Sequence, residues 1–254
     1  CIDRAGEGPV VLFLHGIGGN RRNWARQLEA LSGEFLAVAW DARGYGASDD
    51  YDGPLAMADF SGDVVRVLDH LGRRSAHLVG LSLGGRIALD VWRRFPERVA
   101  SLVLCDTSAG SREAQDPARI AAFLAKRREP LLNGETPSTL APKLVEEIAG
   151  PNITPAARAE LTASLAALHA GSYLKTLEMA TRFTDFPHFA TIDMPTLVVV
   201  GSEDRIAPPP RVRAMAETIP GANLAVIEGA GHISNVEAPE EFNRVVGTFL
   251  RRVA

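Results

Sequence analysis

The sequence predicts an α/β fold with a mainly parallel sheet and helices on both faces, on three observations. Short apolar runs recur at Val10–Leu14, Phe35–Trp40, Ala76–Gly80, Ser101–Cys105, Thr196–Val200 and Leu224–Ile227. They are continuous and rich in Val and Leu, the pattern of strands covered on both faces. Between most of them lies a helical period of apolar residues, and strand alternating with helix implies crossovers between parallel strands. Finally, 254 residues with 46% hydrophobic and 23% charged content supply one sizeable core.

Taken in order, the first run ends in His15-Gly16-Ile17-Gly18-Gly19, a loop at a strand's carboxyl end. Phe35–Trp40 runs into Asp41, whose neighbours Arg43, Gly44, Tyr45, Gly46 and Ser48 suggest a structural turn network. The helix Ala58–Leu71 carries Val64, Val65, Leu68 and Leu71 on one face, and Leu83–Phe95 carries Ile87, Ala88, Val91 and Trp92. The alternation then breaks between Thr107 and Pro195, a stretch rich in Ala, Leu and Arg without a convincing strand. Its helical candidates are Asp116–Arg128, Pro142–Ile148, Pro155–Ala170 and Gly171–Phe183, punctuated by proline and glycine. At roughly 80 residues it is too long for a plain loop. It divides the chain into a core of residues 1–107 and 190–254 and a helical cap, or lid, of residues 108–189. Past it come Thr196–Val200, Leu224–Ile227 and a final helix at Pro239–Arg252.

The chemistry concentrates at strand ends. Gly80-Leu81-Ser82-Leu83-Gly84 fits G-x-S-x-G between a strand and a helix. A sharp turn there holds the serine hydroxyl above the sheet, beside a helix N-terminus that favours negative charge. A serine attacks only when a base takes its proton. His232, in Glu228-Gly229-Ala230-Gly231-His232 past the last strand, is placed to be that base. The base needs an acid to fix its tautomer. Asp204 after Thr196–Val200 is preferred, with Asp106 the rival and Glu203 adjoining. For an oxyanion, the donors expected are the backbone N–H groups of Leu83 and of Ile17, with Gly18 next. Trp24 either lines the site beside that loop or packs beneath it.

Other classes are excluded. A net charge of −4 leaves no nucleic-acid or anionic-membrane footprint. No stretch is long and apolar enough to predict a membrane span. Cys1 and Cys105 imply no disulfide framework, so a reducing, cytoplasmic location is expected, with Cys105 a small buried hydrophobe. There is no H-E-x-x-H and no paired Cys/His cluster, so no metal is expected. Gly16-Ile17-Gly18 begins a dinucleotide fingerprint, but Arg21 stands where its last glycine belongs. No cofactor is therefore expected.

These segments together resemble the α/β-hydrolase fold family: "HGIGG" at His15–Gly19, "DARGYGAS" at Asp41–Ser48, "GLSLGG" at Gly80–Gly85, "GSEDRIAP" at Gly201–Pro208 and "GAGHISNVEAPEEF" at Gly229–Phe242. The order Ser82, Asp204, His232 is that family's order. The resemblance implies a mostly parallel central sheet with helices on both faces and a helical cap. The family has two strands before the His-Gly loop, whereas nine residues precede Val10 here and Cys1–Asp3 would form part of the second. Within the family, Gly80–Ala109 is similar to 3-oxoadipate enol-lactonases. The resemblance thus implies a Ser-His-Asp hydrolase of carboxylic esters or lactones, possible substrates including 3-oxoadipate enol-lactone, acting through an acyl-enzyme.

Alternatives are a cofactor-free perhydrolase of the haloperoxidase type, a C–C bond hydrolase and a weakly catalytic ligand receptor. The C–C hydrolases usually carry Asn before the serine, where Leu81 stands here, and Ser82 argues against the dehalogenases, whose nucleophile is Asp. The partner implied is a small molecule, with a monomer or small homo-oligomer expected. Specificity should reside in the cap, where Phe123 and Leu124 join Trp24 as candidate pocket residues. The cap's Arg112, Arg119, Arg127, Arg128, Arg158 and Arg182 are the candidate cations for a substrate carboxylate.

Overall fold

The computed structural model describes residues 1–108 and 116–254. Seven strands form one sheet: β1 (Ile2–Ala5), β2 (Val10–Leu14), β3 (Leu36–Trp40), β4 (Ala76–Leu81), β5 (Val99–Cys105), β6 (Thr196–Gly201) and β7 (Asn223–Ile227), in the order β1-β3-β2-β4-β5-β6-β7. Edge strand β1 runs antiparallel to β3, and every other pairing is parallel. The predicted runs thus became strands whose ends shift by at most two residues, β3 beginning one residue late at Leu36, and of Cys1–Asp3 only Ile2 and Asp3 belong to β1.

Alternation along each strand splits the core in two. Val10, Leu12 and Leu14 of β2 join Leu78 of β4 under helices α2 (Met57–His70), α3 (Leu83–Arg94) and α8 (Pro209–Thr218). Val11 and Phe13 join Val79 and Leu81 under α1 (Ala25–Leu31) and α10 (Pro239–Val253). Side chains of period two covered on both faces explain why these strands read as unbroken apolar runs. Cys105 is buried and free.

Between β5 and β6 lie α4 (Pro117–Leu132), α5 (Pro137–Ile148), α6 (Pro155–Ala166) and α7 (Ala170–Arg182). Two boundaries differ from expectation because proline was read as punctuation. α4 continues through Pro130 to Leu132, where the missing N–H costs one bond of the last turn. α5 starts five residues before Pro142, because Thr136 caps it through the Thr139 N–H and Pro137 occupies the first helical position, where no N–H is needed. α5 and α6 share a small core of Ala141, Val145, Ala149, Ala157, Leu161 and Leu165, with Val236 from the short helix α9 (Ser234–Glu237).

The strand order fixes where a ligand can sit. From β2 the chain moves outward to β3, and from β4 it moves the other way to β5. The loops after β2 and β4 therefore part, leaving a crevice at the carboxyl ends of the strands. The His15–Gly19 loop and Ser82 lie on its two sides. Among the described residues, no helix is long and apolar enough to cross a membrane.

Candidate active site

Ser82 follows β4 with φ 54° and ψ −113°. A non-glycine residue in that region costs about 1–3 kcal/mol and needs surrounding structure to hold it. Its N–H donates to Cys105 O at 2.9 Å, and its carbonyl accepts from Thr107 Oγ1 at 2.8 Å. The flanking glycines answer close approaches. A Cβ on Gly80 would lie 2.3 Å from Gly84 O, and one on Gly84 would lie 2.0 Å from Leu14 O. The turn is thus packed so tightly between β2, β4 and α3 that no side chain fits at Gly80 or Gly84.

His232 starts from β7, three strands from β4, or about 14 Å at ordinary strand spacing. Its loop is drawn back over the sheet, and its backbone is held at several points. The His232 N–H donates to Ile148 O of α5 at 2.8 Å. Glu237 Oε2 accepts from Gly231 N at 3.1 Å and from Gly150 N at 2.7 Å, while its Oε1 accepts from Ile233 N at 3.2 Å. Ser234 donates from its N–H and its Oγ to Asp106 Oδ2, at 3.1 and 2.6 Å. So placed, His232 Nε2 lies 2.9 Å from Ser82 Oγ, and Nδ1 lies 2.9 Å from Asp204 Oδ2. A carboxylate only accepts, so Nδ1 carries the proton and Nε2 is free to take one from the serine. Asp204 is fixed through Oδ1, which accepts from Ile206 N at 2.8 Å and Ala207 N at 2.9 Å.

The structure therefore brings Ser82, His232 and Asp204 into one hydrogen-bonded line and puts Asp106 elsewhere. Asp106 Oδ1 accepts from Gly201 N at 2.9 Å, so this carboxyl joins the β6 end to the histidine loop. Burial and the nearby Asp204 charge push its pKa up to about 7. Asp41 accepts from Arg21 N, the Arg21 guanidinium and Ala47 N, a turn network of the kind its neighbours suggested. His15 is also structural. Its Nδ1 donates to Gly16 O and its Nε2 accepts from Ala42 N, and burial lowers its pKa.

Leu83 is the first residue of α3, so its N–H has no carbonyl one turn back. A Cβ on Gly16 would lie 3.0 Å from Ser82 Cβ, so the loop bearing Ile17 abuts the serine. That loop is fastened from α6: Ser164 Oγ donates to Gly18 O at 3.0 Å and accepts from Asn20 Nδ2 at 2.8 Å.

Trp24 is buried beneath the loop, packed between Phe13 and Phe242. With Ile17, Leu161, Leu165 and Asn235 it borders a small cavity of about 30 Å³ that is lined by neither Ser82 nor His232. The other two pocket candidates lie on α4. Phe123 is 38% exposed, beneath the Arg127 guanidinium. Leu124 faces a groove against Thr181 and Arg182 of α7. Neither lines the cavity beside Ile17.

Four of the insertion's six candidate arginines find carboxylates. Arg119 pairs with Asp116, Arg127 with Glu147, Arg158 with Glu146 and Arg182 with Glu178, while Arg128 is exposed and Arg112 lies outside the described residues. Sequence reasoning missed Glu237 and Arg205. The Arg205 Nη2 donates to Glu146 O and Ala149 O, closing the C-terminus of α5. Arg205 acts on a segment far away in sequence, whereas Glu237 gathers the nearby Gly231 and Ile233 N–H groups together with the distant one of Gly150. Among the described residues, no His, Cys, Asp or Glu cluster could hold a metal ion.

The α/β-hydrolase fold family's sequence profile matches residues 9–239, and the chain belongs to that family. It is 29% identical over 245 residues to 3-oxoadipate enol-lactonase 2 of Acinetobacter baylyi, covering 96% of this chain and 89% of the relative. The enol-lactonase from Burkholderia xenovorans LB400 superposes with a TM-score of 0.87 at 28% identity, covering 99% of this chain and 96% of the other. A thermophilic esterase from Thermogutta terrifontis, in a malate-bound structure, gives 0.84 at 31% identity, covering 100% and 93%.

Proposed function

We propose that the chain is a serine hydrolase that cleaves a carboxylic ester or lactone of a small molecule. The observation that carries this reading is the line from Ser82 Oγ through His232 to Asp204, with both contacts at 2.9 Å. His232 Nε2 takes the Ser82 proton as Oγ attacks the carbonyl carbon. The N–H groups of Ile17 and Leu83 stabilise the oxyanion as it forms. Collapse returns the proton to the leaving alcohol and leaves an acyl-serine. Water, deprotonated by the same histidine, then releases the acid. Residues 1–107 and 190–254 form the catalytic core, and residues 108–189 form the cap that shapes the substrate pocket. The relatives make 3-oxoadipate enol-lactone the first substrate to assay.

The test is the intact mass after exposure to a fluorophosphonate, with Ser82→Ala in parallel. One adduct on the parent chain and none on the variant is expected. Turnover of a simple ester should also fall about 10³-fold or more in Ser82→Ala and His232→Ala. A folded parent chain that takes no adduct and cleaves no ester overturns the reading.

A further inference from the structure

Arg86 stands one helical turn after Ser82 on α3, on the same helix face. Its side chain is half-buried, against the end of α7. Nη1 donates to Ala180 O at 3.1 Å, and the guanidinium lies 5.6 Å over the Phe186 ring. Among the described residues no carboxylate comes within salt-bridge distance, in contrast to the paired arginines of the insertion. A guanidinium offers five N–H donors in a planar fork, and here one is used. The guanidinium of Arg211, at the start of α8, adds its charge, and burial and that charge both lower the Arg86 pKa. Withdrawing a cation from water beside a second cation, with no counter-ion, is costly unless an anion completes the site.

We propose that Arg86, supported by Arg211, binds a free carboxylate of the substrate, so that the ester or lactone cleaved at Ser82 carries a second, ionised acid group. The inference rests on the serine-hydrolase reading and narrows its substrate class. It also moves the carboxylate-binding cation from the insertion, where it was sought, to the helix that begins at the nucleophile. Four residues of α3 rise about 6 Å, so a short chain would join the two ends of such a substrate.

The test compares methyl hemi-esters of dicarboxylic acids, from succinate to pimelate, with the matching monoamides, which keep the shape and lose the charge. At the best chain length the parent enzyme is expected to favour the hemi-ester by about tenfold or more in kcat/KM, consistent with a charge-assisted contact. Arg86→Gln should bring that preference down to about one. Arg86→Lys should retain part of it, because the charge stays and the fork is lost. Arg211→Gln should reduce it less. If Arg86→Gln does not fold, competitive inhibition of the parent enzyme by the free diacid, and not by the diamide, reads the same contact. Ester turnover with no charge preference at any length, or a preference unchanged in a folded Arg86→Gln, overturns this inference alone. No turnover and no fluorophosphonate adduct overturns the reading beneath it.

Discussion

Helices α5 and α6 belong to the same insertion as α4, yet they are held differently. The first two bury Ala141, Val145, Ala157, Leu161 and Leu165, whereas α4 buries no side chain. The contrast extends to hydrogen bonds. α5 and the residues just after it receive the His232 N–H, the Arg205 guanidinium and, through Gly150, the Glu237 carboxylate, while α6 fastens the Gly18 loop. α4 is tied by Lys126 and Arg127 to Glu147 of α5. One part of the insertion thus holds the site's geometry, and the other is joined to it by ion pairs. Surface ion pairs of the second kind contribute little, about 0–1 kcal/mol each.

Substitutions at four positions test that contrast. Leu161→Ala should remove about 2–5 kcal/mol of stability, measured by urea unfolding, because it enlarges a cavity in the α5–α6 core. The next effect is a pH dependence in the clamp beneath the histidine loop. The Asp106 carboxyl, raised to about 7, stays protonated in the folded chain where the unfolded chain has already lost the proton. Its contribution is therefore full below about pH 4 and is lost as pH rises towards 7. Relative to Asp106→Asn, the parent chain should lose about 2–4 kcal/mol across that window, and parallel unfolding curves would refute the shift.

Glu237→Ala leaves three N–H groups without their acceptor and should cost about 1–3 kcal/mol. With the histidine loop loosened, kcat should fall by about tenfold or more, and Glu237→Gln should recover part of it. A variant equally destabilised but fully active would show that Glu237 only fastens the insertion. Smallest is Leu132→Ser at the exposed end of α4, expected within about 0.5 kcal/mol. A loss there as large as that of Leu161→Ala would abolish the distinction.

What could be read in the sequence follows the same division. The sheet was legible because strands covered on both faces carry a continuous apolar signal, and Ser82, Asp204 and His232 were legible because each ends a strand in a polar, glycine-bearing loop. The start of α5 was obscured by Pro142, which sits inside the helix despite its missing donor. Glu237, Arg205 and Arg86 left no local mark. Each is an ordinary charged residue until the fold brings a backbone group against it, Gly150 for Glu237, the end of α5 for Arg205 and Ala180 for Arg86. The pocket was least legible, since apolar residues at helical spacing look alike whether they face a neighbouring helix, as Leu161 does, or water, as Phe123 does.

The contact between His232 N–H and Ile148 O has a consequence for chimeras. Grafting the insertion of a relative onto this core, to import its substrate range, would exchange the segment that supports the imidazole. A graft that keeps residues 148–150 and Ser164 and replaces α4 should pass on new selectivity with the hydrolytic machinery in register. A graft that replaces all four helices would have to bring its own histidine loop.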